Sequence, residues 1–181
     1  MSLSMRSYSQ YILDRIFLRV RTPDLTRQVA ALPYAVLDGR VAFLLITSRR
    51  SGRWIFPKGS VIEGKTPWES AQQEALEEGG VEGEIDSTPI GTYRTIKKGS
   101  IARKVVEVDL YPMRVTHQHE TWPEQANRQR HWVLLREARR LLQDPALAGL
   151  TTELSRRVLF AGAPAGSAGQ GAHRHIAARR Q

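Results

Sequence analysis

Between Gly59 and Val81 the chain reads GSVIEGKTPWESAQQEALEEGGV, and the second half of this stretch spells out a helix. Thr66 is an N-cap residue type, Pro67 fits the first helical position, Glu69 completes a capping box, and Gly79-Gly80 supply the stop. The spacing predicts a helix over Pro67 to Glu78. Its last turn breaks the usual economy of helices. Glu74, Glu77 and Glu78 fall at i, i+3 and i+4, so their carboxylates gather on one face. Like charges at that spacing repel, and anions at a helix C-terminus oppose the macrodipole, each effect costing roughly 0.2 to 1 kcal/mol. A divalent cation relieves both penalties, and a cluster of hard carboxylate oxygens suits Mg²⁺ or Mn²⁺ rather than a soft metal. For such a run taken alone, a solvated acidic face is the plain alternative.

The whole stretch resembles the Nudix box, whose pattern is G, five residues, E, seven residues, then R-E-U-x-E-E-x-G-U with U aliphatic. Gly59, Glu74, Glu77, Glu78, Gly80 and Val81 fall in register. Upstream, Trp54-Ile-Phe-Pro-Lys-Gly59 is similar to the family's W-x-x-P-[GK]-G entry strand. The resemblance implies an α/β fold, a Nudix-type α/β/α sandwich with a mixed β-sheet, over residues 27–162. Residues 1–26 then form an N-terminal extension, and residues 163–181 a basic tail, rich in Ala, Gly and Ser, that buries little surface and is expected to be disordered.

Two box positions depart from the pattern. Lys65 stands where the family has Glu, and Gln73 where it has the Arg that orients the box carboxylates; Ala75 is also small for its aliphatic slot. Losing the Glu and the Arg together leaves neither as an orphan charge, and Glu63 lies close enough in sequence to substitute in part. By resemblance, Glu74, Glu77 and Glu78 hold the metal ions with help from the Gly59 carbonyl. The implied reaction is attack of water on phosphorus in a nucleoside diphosphate-linked or related pyrophosphate. The box leaves the general base open between Glu74, Glu120 and Glu124, while His117, His119 and His131 read as surface or packing residues.

Outward from the box the pattern is one of strands. Two apolar runs, Gln28 to Leu37 and Val41 to Thr47, flank Asp38-Gly39-Arg40, a hairpin signal. A polar loop over Ser48 to Arg53 leads to a short aromatic strand, Trp54 to Gly59. Downstream, Glu84 to Ile96 and Ile101 to Val115 read as strands around a basic turn, the first interrupted at Pro89 and Gly91. Thr116 to Gln129 is polar and reads as a loop. A strand is expected over His131 to Leu135, with helices over Arg136 to Gln143 and Thr151 to Phe160.

Composition bounds the rest. The 181 residues carry 27 Lys plus Arg against 18 Asp plus Glu, a formal charge of +9, with ordinary soluble proportions of 41% hydrophobic and 25% charged residues, which excludes collagen, coiled coil and wholesale disorder. Without cysteine there is neither a disulfide framework nor a thiol nucleophile, so the chemistry belongs to oxygen, nitrogen or a bound metal. The apolar run Tyr11 to Val20 contains Asp14, Arg15 and Arg19, too broken for a membrane span or a signal peptide, and a cytoplasmic protein is expected. Only five of the basic residues are lysines, and arginine forks match phosphate oxygens. Arg53, Lys58, Lys97, Lys98, Arg103, Lys104 and Arg130 are the candidates to line a pocket for a phosphate-rich small molecule. In this the chain resembles the diphosphoinositol and diadenosine polyphosphate branch of the family. A Nudix-fold module that binds polyphosphate or RNA without turnover is the alternative, supported by Lys65 and Gln73. RNA is the less favoured ligand, because the sequence shows no basic strand with patterned stacking aromatics.

Overall fold

The computed structural model describes residues 26–98 and 103–161. The expected extension before Thr26, the tail over residues 163–181 and the side chains of Lys97, Lys98 and Arg103 lie outside the described residues. The strand β1 (Thr26–Leu37) turns at Asp38-Gly39 into β2 (Arg40–Thr47), with Leu37 paired to Arg40. Both turn residues have positive φ, 48° and 71°, as a two-residue turn matching the strand twist requires.

The aromatic segment is not one strand but two of two residues each, β3 (Trp54–Ile55) against β2 and β4 (Lys58–Gly59) against β1. Pro57, with no donor, marks the break. The box helix α1 (Pro67–Gly79) has the expected capping box, with Thr66 and Glu69 bonded reciprocally. It runs one residue past Glu78, and Gly80 alone makes the left-handed exit at φ 65°.

The segment expected as one interrupted strand after the box resolves into β5 (Val81–Ile85) and β6 (Gly91–Lys98). Both pair antiparallel with β7 (Arg103–Gln118), which runs three residues into the stretch expected to be loop. A turn of 3₁₀ helix over Gln125–Asn127 leads to β8 (Arg130–Leu134), α2 (Leu135–Leu141) and α3 (Pro145–Ala161). The last helix begins six residues before the expected Thr151. Asp144 Oδ1 accepts from the backbone N–H groups of Ala146 and Leu147, with Pro145 at the first position.

The sheet order is β3-β2-β1-β7-β5, with β4 on β1, β6 on β7 and β8 on β2; β1 and β7 are parallel and the other pairs antiparallel. Alternate residues of β1 and β2 supply two cores. Val29, Ala31 and Leu44 join Ala71 and Ala75 of α1 on one face. Ala30, Leu32, Phe43 and Leu45 join Ala138, Leu142, Leu147 and Leu154 of α2 and α3 on the other. Helices on both faces make the α/β/α sandwich with a mixed sheet, and explain why the central strands read as unbroken apolar runs. Ala75, small for its slot in the box, is fully buried against the sheet.

Candidate active site

The β1–β4 pairing, Val29 opposite Gly59, brings the entry loop against the last turn of α1. There the Glu74 carboxylate lies directly on the Gly59 backbone, so that a side chain at position 59 would push that carboxylate aside. The next residue back, Lys58, donates its backbone N–H to Glu78 Oε2 at 2.9 Å. Two of the three box carboxylates are thus pinned to one short strand, on one side of the helix.

Glu78 is buried, and its other oxygen, Oε1, accepts from Arg128 Nη2. The Arg128 side chain is only 4% exposed. Its Nε donates to Glu124 Oε2 at 2.6 Å and its Nη1 to the Thr47 carbonyl at 2.9 Å. Glu124 is further held by its own N–H, which donates to the Glu77 carbonyl at 3.1 Å, and by Arg49 at 3.4 Å. Glu124 therefore joins the box cluster, as one of the two candidate carboxylates outside the box. The other does not: Glu120 is exposed and makes none of the described contacts with the cluster.

The two departures from the box turn out to touch each other. Lys65 Nζ donates to Gln73 Oε1 at 3.0 Å, and Gln73 Nε2 donates to Glu77 Oε1 at 2.7 Å. Glu63, the expected partial substitute, is exposed and has no part in this chain.

Electrostatics follow from the crowding. Burial first, then the charges of Glu78, Glu77 and Glu124, push the Glu74 carboxyl up to about 7, with Arg128 opposing. Burial also raises Glu78, against the lowering pull of the Lys58 N–H and Arg128. Four carboxylates around one buried guanidinium leave surplus negative charge, and the donors are hard oxygens. That donor set fits a divalent cation such as Mg²⁺ or Mn²⁺. Among the described residues no three acidic or histidine side chains already close on one point as a finished metal cage would. Glu77 is drawn back to Gln73 and Glu78 to Arg128.

Arg130, expected to face substrate, is placed differently. Its Nη1 donates to the carbonyls of Gly79 at 3.1 Å and Gly80 at 3.4 Å, and its Nη2 to that of His119 at 2.7 Å, while the guanidinium lies 4.0 Å from the Trp122 ring centre. The Gly79 and Gly80 carbonyls end α1, which has no basic residue in its own last turn. Arg130 is a helix cap borrowed from β8. Arg53 is exposed in the loop before β3, and Lys58 is half-buried on β4. Among the histidines, His119 pairs with Glu82 at 2.5 Å and meets the His117 ring edge-on; His131 lies against Trp54.

Comparison with known proteins agrees with this architecture. The NUDIX domain family model matches residues 26–154. Nudix hydrolase 17, mitochondrial, of Arabidopsis thaliana is 34% identical over 123 residues, 64% of this chain and 66% of that protein. Nudix hydrolase 21, chloroplastic, of the same plant is 31% identical over 130 residues, 70% of this chain and 64% of that protein. For Nudix hydrolase 12, mitochondrial, also from Arabidopsis thaliana, the figures are 31% over 103 residues, 55% and 51%. The chain spans between half and two thirds of the length of these relatives. Among solved structures, a C. elegans Ap4A hydrolase superposes with a TM-score of 0.57 at 20% identity, over 74% of this chain and 98% of that one. The NUDIX domain of Shewanella oneidensis NrtR, crystallised with ADP ribose, gives 0.59 at 14% identity, over 80% and 97%. At such identities the two structures speak for the fold. Nudix hydrolases generally use divalent metal ions, and no described helix is long and apolar enough to cross a membrane. From box, fold and family match together, this chain belongs to the Nudix family.

Proposed function

We propose that the chain is a pyrophosphohydrolase that cleaves a pyrophosphate bond in a nucleoside diphosphate-linked or polyphosphorylated small molecule, of the diphosphoinositol or diadenosine polyphosphate type. The observation that carries this reading is the surplus of carboxylate charge at the Gly59–Glu74 contact, with Glu74 raised to about 7. Glu74, Glu77, Glu78 and the Gly59 carbonyl would hold Mg²⁺ or Mn²⁺. Bound there, such ions neutralise phosphate oxygens and make water a nucleophile at neutral pH. The remaining work falls to the protein. Glu74, which lies against the Gly59 backbone, suits the general base better than Glu124, whose two oxygens face Arg128 and Arg49. Arg53 and Lys58, with Lys97, Lys98 and Arg103 from the basic hairpin, would seat the anionic substrate. The Ap4A and ADP ribose of the two structural neighbours are phosphorylated ligands of that class.

The test is release of phosphate or nucleotide from a panel of dinucleoside, sugar-nucleotide, capped and inositol pyrophosphates with Mg²⁺, Mn²⁺ or chelator. Turnover that chelator abolishes supports the reading. Tight binding with no release from any compound would favour the non-catalytic polyphosphate or RNA module, for which Lys65 and Gln73 are the sequence support. A cytoplasmic location is the expectation from the sequence; since the plant relatives carry mitochondrial and chloroplastic names, cell fractionation is the relevant check.

A further inference from the structure

The family's orienting arginine is absent from the box, yet a guanidinium is bonded to a box carboxylate. Gln73 occupies the box position and reaches Glu77, whereas Arg128, 50 residues beyond Glu78, supplies the guanidinium to Glu78. We propose that Arg128 is a positioning residue for Glu78, supplying from outside the box a guanidinium that the box itself lacks. The inference rests on the hydrolase reading above.

Three features support it. First, Arg128 is held at three points, Glu78, Glu124 and the Thr47 carbonyl, so its fork has a fixed bearing and can impose one on Glu78. The Thr47 contact ties that bearing to the end of β2, and Gln129 reinforces it by donating its N–H to Thr47 Oγ1 at 2.9 Å. Second, Glu78 is gripped from both sides, Oε1 by Arg128 and Oε2 by the Lys58 N–H, which leaves its remaining lone pairs aimed rather than free to turn. Third, the division of labour is complete. Lys65 and Gln73 serve Glu77, Arg128 serves Glu78, and Gly59 admits Glu74, so each box carboxylate has its own support. Lys65 and Gln73 in place of the box Glu and Arg then cost the site little, because they still support Glu77 and the guanidinium on Glu78 comes from another element. Outer partners of ligating carboxylates set metal affinity and activity by about 10- to 100-fold.

The experiment measures Mn²⁺ binding to the full chain by titration calorimetry, beside kcat, KM and melting temperature, for wild type, Arg128→Gln and Arg128→Lys. Lysine keeps the charge and loses the fork. The expected result is Mn²⁺ binding weaker by about 10-fold or more in both variants, with kcat falling and KM little changed. Several outcomes overturn the proposal. Binding and kcat within twofold of wild type, whatever the melting temperature does, would make Arg128 purely structural. So would recovery of both single variants only as unfolded protein. Tighter Mn²⁺ binding would mean that Arg128 competes with the ion. Wild type that neither binds Mn²⁺ nor turns over any compound would sink the hydrolase reading itself, a result distinct from all of these.

Discussion

The two ends of α1 obey different rules. At the N-terminus Thr66, Pro67 and Glu69 do what a helix end needs: a reciprocal capping box, a proline where no donor is required, and an anion beside the positive end of the dipole. At the C-terminus the helix stacks Glu74, Glu77 and Glu78 where cations belong, and buries Glu78. Two arginines from the approach to β8 make this tolerable, and they divide the task. Arg128 meets the carboxylates and Arg130 meets the carbonyls. Arg128 is extended at φ −139° and ψ 142°, so residues two apart point the same way and reach the same helix end. Stability built locally at one end, and imported from 50 residues away at the other, is the mark of a segment kept for chemistry.

Glu77→Gln breaks the contrast most sharply. Hydrolysis should fall by about 10³-fold or more if metal ligation fails, while the melting temperature stays within a few degrees, because among the described residues the Glu77 side chain is held by Gln73 alone. Glu78→Gln should lose activity as well, but should also unfold at markedly lower temperature. The amide oxygen can still accept from Arg128, but the buried guanidinium loses its counter-charge and the amide NH₂ meets the Lys58 N–H donor; breaking a buried ion pair costs about 3 to 5 kcal/mol, less here in so far as Glu124 remains. Thermal melts beside rate assays separate the two variants.

Arg130→Ala removes the borrowed cap. Three carbonyl contacts and the Trp122 face are lost, for an expected destabilisation of about 2 kcal/mol measured by urea unfolding. If Arg130 served substrate instead, KM would rise and stability would hold. Glu74→Gln sharpens the comparison through pH. Its folded-state value is raised above that of the unfolded chain, so the folded state holds the proton more tightly. Stability from this group is present below about 4.5 and is lost as pH rises towards 7. Because the carboxyl is only partly buried, the loss is discounted to about 1 kcal/mol. In metal-free buffer, Glu74→Gln should melt a few degrees above wild type at pH 8 and show no such gain at pH 4. The smallest effect belongs to the ordinary end: Thr66→Ala should cost about 1 kcal/mol and leave kcat unchanged.

How much of this was legible before the structure depended on range in sequence. The capping box and the Asp38-Gly39 hairpin are local, and each stood where the spacing put it. Pro89 and Gly91 announced an interruption, but only the pairing of both halves to β7 shows that it separates two strands. Arg128 could not be singled out among 22 arginines, since its burial depends on β2 and α1 rather than on its neighbours. The clue was Gln73: a box without its arginine, carrying the same carboxylates, calls for a cation from elsewhere. Arg130 was read as a substrate contact because a strand edge with basic residues looks the same whether the guanidinium points to solvent or to a helix end.

Pro112 carries a last consequence. It sits in the middle of β7, where a proline ordinarily costs a ladder bond, yet the outer edge of β7 has a gap there: β6 pairs up to Leu110 and β5 starts at Met113. The Pro112 carbonyl takes the Asp86 N–H on that same edge, so the missing donor falls opposite the connection between the two strands rather than opposite either of them. One long strand can thereby serve as a shared spine for two short ones without forcing them into a continuous ribbon. In hydrogen exchange, the β7 amides bonded to β1 should open only with global unfolding, while those around the gap exchange through smaller local openings. The proline thus divides the sheet's outer edge into two units that can breathe separately, one next to α1 and the other carrying the basic hairpin.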